Sequence, residues 1–129
     1  MDTQAFNDVY AEQMALCSET LVEKAKEYAS DKDRLHNFKI AAALQECTVP
    51  DAIGRMMSKH TVSIYDMIKD PKAYSLSTWN EKIKDHINYL ILLKAGLVEE
   101  TFDGLEELEL ETNFKSNVRF RSGTPTTNA

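Results

Sequence analysis

The sequence is poor in the residues that punctuate a chain. Four glycines and three prolines in 129 residues leave too few turn positions for an all-β fold, which needs a turn after every short strand. The two cysteines, Cys17 and Cys47, lack metal-ligand spacing and read as buried free thiols in a reducing cytoplasm. No apolar run nears the roughly 20 residues of a membrane span, and the N-terminus has no charged-then-apolar signal pattern. The expected location is the cytoplasm, with no membrane partner. Basic residues are the minority, 15 Lys and Arg against 21 Asp and Glu for a net charge of −6. A phosphate backbone would be repelled over most of such a surface, so nucleic acid is not an expected partner. The motifs G-x-x-x-x-G-K-[ST], G-x-G-x-x-G and G-x-S-x-G are missing. His36 and His86 have no H-x-x-x-H or H-E-x-x-H partner, and no spacing supports Ser/His/Asp or Cys/His catalysis. No catalytic residue can be assigned on this basis.

What the chain does have is helical periodicity. With 43% hydrophobic and 28% charged residues it has the composition of an ordinary globular domain. Four helical segments are expected. The first runs from about Thr3 to Ala29, where Phe6, Tyr10, Met14, Cys17, Leu21, Ala25 and Tyr28 step by three or four residues. Asp33 is positioned to cap a second, Asn37 to Gln45. A third starts near Pro50 after Thr48, carries Ile53, Met56, Met57, His60, Ile64, Met67 and Ile68 inward, and stops before Pro71. The fourth opens on the capping-box pattern Thr78-x-x-Glu81 and reaches about Leu97. The fold class is therefore all-α, a helical bundle over residues 1–100. Residues 101–129 follow as an acidic arm, a weakly strand-like stretch at Asn117–Ser122 and a partly disordered C-terminal tail.

Within the fourth helix, Glu81, Asp85 and Asn88 fall at i, i+4 and i+7 in one narrow stripe. The stripe continues as Leu92 and Ala95, so both sides of the helix are expected to be covered by protein, with Glu81 and Asp85 in an enclosed space. Enclosed carboxylates need a cation, a metal ion or a hydrogen-bonding ligand. Four residues bring the two Cβ atoms to about 6 Å, close enough to share one divalent cation. Glu23 and Glu27 of the first helix are candidates to complete such a cluster. Lys24 and Lys59 are candidate phosphate contacts, although each can equally be a solvated or snorkelling lysine. His60, on the apolar row, reads as a core histidine rather than a ligand. The all-round apolar Leu90-Ile91-Leu92-Leu93 calls for a partner surface, so a homodimer or larger is expected.

Four segments occur in a telling order: Lys24-x-x-Glu27-Tyr28-Ala29, Asp33-Arg34-Leu35-His36-Asn37-Phe38-Lys39, Lys59-His60, and Glu81-x-x-x-Asp85-x-x-Asn88-Tyr89. Over about Leu21 to Leu97 the chain resembles small phage-encoded proteins related to the MazG-like all-α nucleotide pyrophosphohydrolases. The resemblance implies a helical bundle that forms homodimers or homotetramers in the host cytoplasm and holds Mg²⁺ through acidic side chains of two or more helices. It also implies a nucleotide as ligand, cleaved to the monophosphate and pyrophosphate. Carried onto this chain, Glu81, Asp85, Glu23 and Glu27 would bind metal, and Lys24, Lys59, Asn88 and Asn37 would bind nucleotide. The first acidic cluster departs from the family's tighter E-E-x-x-E pattern. That leaves a nucleotide-binding descendant without activity as one expectation. A non-catalytic protein that sequesters a nucleotide or binds a host protein is the alternative.

Overall fold

A computed structural model describes residues 1–23, 25–28, 32–101, 113 and 115, with backbone alone for Glu27 and Tyr28. Every described element is helical, and the fold is an all-α bundle. The first segment is not one continuous α-helix. Asp2 caps α1 (Thr3–Ser18), its Oδ1 accepting from the Ala5 N–H at 2.8 Å. A π turn, Glu19–Glu23, follows, and then α2 (Ala25–Tyr28). The wider i→i+5 turn shifts the phase of everything after it, and the β-branched Thr20 and Val22 inside it are weak α-formers. The expected apolar row is covered only in part. Cys17 is buried and Met14, Leu21 and Ala25 are half-buried, whereas Phe6 and Tyr10 are each 61% exposed.

The second segment is α3 (His36–Leu44), starting one residue earlier than the sequence pattern predicts. Asp33 does not cap it. Its carboxylate instead accepts from the Leu35 N–H at 3.0 Å and from Lys39 Nζ at 2.9 Å. At the other end Cys47 N–H donates to the Ala42 carbonyl at 3.0 Å and Glu46 N–H to that of Ala43 at 3.3 Å. This double closure requires a left-handed residue, and Glu46 takes it at φ 51° where glycine is the usual occupant.

Thr48 caps α4 (Val49–Ile68), accepting from the Asp51 N–H at 3.1 Å, with Pro50 in the first turn. Ile53 and Met67 are buried and Met56, Met57, His60 and Ile64 half-buried, but Ile68 faces solvent. Pro71 opens a short 3₁₀ turn, Pro71–Ala73. The cap of α5 (Leu76–Thr101) is Ser75, not Thr78. Ser75 Oγ accepts from the Thr78 N–H at 3.1 Å, so Thr78 lies within the first turn. Trp79 Nε1 donates to the Pro71 carbonyl at 3.2 Å, which ties the turn onto α5.

The core lies where α3, α4 and α5 meet. Ala42, Val49, Ala52 and the fully buried Ile53 form its centre, with Phe38, Cys47, Tyr89, Leu92 and Leu93 packed around them. Gly96 lets the two long helices approach: a Cβ there would lie 3.2 Å from Ile53 Cδ1 and 3.4 Å from Val49 Cγ1. Leu92 thus meets the core, while Ala95 is exposed, as are Leu90 and Ile91 on the other side of α5. The expectation that both sides of α5 are covered is corrected accordingly.

The chain divides into two units, Met1–Gly96 and Leu97–Ala129. Beyond Thr101 only Asn113 and Lys115 are described, so the acidic arm and the strand-like stretch lie outside the described residues. Among the described residues no helix is long and apolar enough to cross a membrane.

Candidate functional site

The inward face of α5 carries the candidate site. Its buried residues are Lys84, Asn88 and Gly96. Lys84 places its ammonium 2.8 Å from Glu81 Oε2 and 3.9 Å from Asp85 Oδ1, and only 9% of its side chain is exposed. The cation that two neighbouring carboxylates call for is therefore a lysine of the same helix. Burying an unpaired ammonium costs several kcal/mol, and the short charge-assisted contact with Glu81 offsets part of that. The Glu81 side chain is 62% exposed, so water screens much of the attraction.

One turn further on, Asn88 is 6% exposed and reaches the first helix. Its Nδ2 donates to the Cys17 carbonyl at 3.4 Å. Cys17 lies two residues before the π turn, where the hydrogen-bond pattern changes from i→i+4 to i→i+5. Asn88 Oδ1 has no hydrogen-bond partner among the described residues. An amide oxygen can accept two hydrogen bonds, and a buried one that accepts none carries a desolvation cost of about 1–3 kcal/mol.

On the α4 side, the His60 ring lies 4.8 Å from that of Tyr89 at 31°, and Phe38 meets Tyr89 edge-on at 6.5 Å. Burial pushes the His60 pKa below the ordinary imidazole value. The Asp85 charge opposes that shift, while Lys59, Lys82 and His86 add to it. Burial, and then Asp85, raise the Tyr89 hydroxyl. His86 Nε2 and Thr61 Oγ1 share a hydrogen bond of 2.9 Å. Asp85 thus sits in a polar seam between α4 and α5, in electrostatic reach of His60 and Tyr89.

The structure brings Glu81, Asp85 and Asn88 onto one face, as their spacing predicts. Lys59 is exposed on α4 beside His60, and Asn37 is exposed in the first turn of α3, next to Phe38. Glu23 ends the π turn and is exposed. Lys24 and the side chain of Glu27 lie outside the described residues. Among the described residues no three or more Asp, Glu, His or Cys gather to hold a metal ion. The hard oxygen donors suit Mg²⁺ in kind, but Lys84 already neutralises Glu81 and contacts Asp85, so the described set does not fit a Mg²⁺ site as it stands.

Sequence reasoning missed Lys84, the Thr61–His86 pair and the Cys17 carbonyl. Lys84 was within reach of the same arithmetic, three residues after Glu81 and four before Asn88. The other two depend on tertiary contacts and leave no local signal. No protein-family model, curated protein or solved structure matches the chain.

Proposed function

We propose that the chain binds a nucleotide or nucleotide-like small molecule at the α4–α5 seam around Asp85 and Asn88, as a descendant of MazG-like pyrophosphohydrolases. The observation that carries this reading is Asn88. A buried amide with an unused acceptor, one turn from a half-buried carboxylate, is costly as pure structure and useful for reading donor groups of a base or sugar. Lys59 is an exposed cation near the same seam for phosphate. Lys84, by neutralising the carboxylates, supports binding over hydrolysis.

The test is thermal stabilisation by a panel of nucleoside mono-, di- and triphosphates, each with and without Mg²⁺. A ligand at 100 times its Kd stabilises by about 2.7 kcal/mol. Stabilisation by at least one nucleotide, reduced in Asp85→Asn, is the expected result; no response across the panel refutes the reading. The second reading is pyrophosphate release from a nucleoside triphosphate at the same seam; because Lys84 occupies Glu81 and Asp85, the metal ligands for that reaction would have to come from beyond the described residues. Pyrophosphate appearing from a nucleoside triphosphate, and lost in Asp85→Asn, would establish it.

A further inference from the structure

Among the described residues, nothing covers the first three turns of α1. From Met1 to Glu12 every residue is exposed except Ala5, which is half-buried. Yet the segment is helical and capped, and its apolar row continues without a break from the covered Met14 and Cys17 back through Tyr10, Val9 and Phe6. A single helix of this length is marginal in water, since most helical stability comes from packing an apolar face. A second such row lies on α4, where Arg55, Lys59, Val62, Tyr65 and Lys69 recur at the three-and-four spacing of a coiled-coil seam, with Ile68 at its edge. Val62, Tyr65 and Ile68 are 59%, 67% and 55% exposed.

We infer that α1 of one copy docks on the α4 row of a second copy, reciprocally, to form a homodimer with exchanged helices. Charge decides against the simpler pairing of α1 with α1. Met1–Glu23 carries Asp2, Asp8, Glu12, Glu19 and Glu23 and no Lys, Arg or His, so two copies would bring like charges together. The α4 row offers Arg55, Lys59 and Lys69, with Asp66 paired to Lys69 at 2.9 Å. Area points the same way. Phe6, Val9 and Tyr10 at their exposures present on the order of 300–350 Å², taking 150–250 Å² for each whole aromatic side chain. The three apolar residues of α4 present about the same. One contact then removes about 650 Å² and two reciprocal contacts about 1,300 Å², and only the second reaches the range of stable interfaces. This inference shares Lys59 with the proposed phosphate contact, but its test reads association rather than nucleotide binding, so the two can fail separately.

Sedimentation equilibrium of the full chain at about 50 μM, a usual concentration for a micromolar association, should give twice the 14.7 kDa protomer mass. Phe6→Glu with Tyr10→Glu, and separately Val62→Glu with Tyr65→Glu, should each weaken the dimer at least tenfold while circular dichroism stays unchanged, because all four side chains are exposed in the protomer. Mixing the two variants leaves a single intact contact of about 650 Å², below the range of stable interfaces, so the mixture should stay far weaker than the wild-type dimer. A wild-type monomer overturns the inference and leaves the row to some other protein. So does a dimer indifferent to either variant, or a mixture as tight as wild type.

Discussion

Asn88→Leu separates a structural tie from a binding group. Among the described residues, Asn88 makes one long hydrogen bond, 3.4 Å to the Cys17 carbonyl, and its Oδ1 has no partner. The bond is long, and its loss costs no more than the typical ~0.5–1.5 kcal/mol. Removing the unpaired Oδ1 returns a similar amount, and burying the extra apolar surface of leucine adds about 1 kcal/mol. The terms nearly cancel. Asn88→Leu should therefore change the urea-unfolding free energy by no more than about 1 kcal/mol, while the stabilisation by nucleotide is lost. A loss of more than about 3 kcal/mol would make Asn88 a structural link between α1 and α5. An undiminished nucleotide response would remove it from the site.

Other residues give signs that a melting or titration experiment can check. Gly54→Ala should stabilise by about 0.5–1 kcal/mol through helix propensity, because a Cβ there meets nothing within 4 Å. Gly96→Ala should destabilise despite the same gain, because the fully buried Ile53 has little room to give way and overpacking costs about 1–3 kcal/mol; a Gly96→Ala protein that melts higher would show the α4–α5 contact to be looser than drawn. Glu46→Gly should raise stability by about 1 kcal/mol by relieving the left-handed backbone, and an unchanged midpoint would refute that. His60 titrates below the ordinary histidine value in the folded chain, so the unfolded state binds its proton more readily and stability falls as pH drops below about 6.5. Asp85→Asn should lower the His60 pKa further, as read by proton NMR, since Asp85 is the charge that holds it up.

The helices were legible because their signals are local. The start of α4 near Pro50 and the apolar row through Ile53 and Met67 are written in spacing alone, and both stand in the structure. Where caps were misassigned, a competing residue of the same chemistry sat nearby: Ser75 took the role expected of Thr78, and Asp33 turned to Leu35 and Lys39. The π turn was not legible. Phe6, Tyr10, Cys17 and Leu21 keep a regular step in sequence, and nothing in that step shows that the helix widens at Glu19 or that its first half is exposed. Periodicity reveals which face is apolar, not whether anything covers it.

The same distinction governs the α5 stripe. Leu92 and Ala95 continue the face of Glu81 and Asp85, and that continuity predicts enclosure. Leu92 does pack on the core, but Ala95 is exposed, so apolar continuity was a poor measure of cover. Enclosure instead falls on Asn88 of the stripe and on Lys84 beside it, both more buried than either acid. That exchange changes the chemistry expected of the face. Two enclosed acids without a cation would repel, and neutralising one would stabilise the fold. With Lys84 between them, Asp85 is a partner rather than a rival of Glu81, and its loss weakens the hold on a buried ammonium. The acids hold the Lys84 ammonium in place, and Asn88 is left as the buried group on this face whose acceptor no described residue uses.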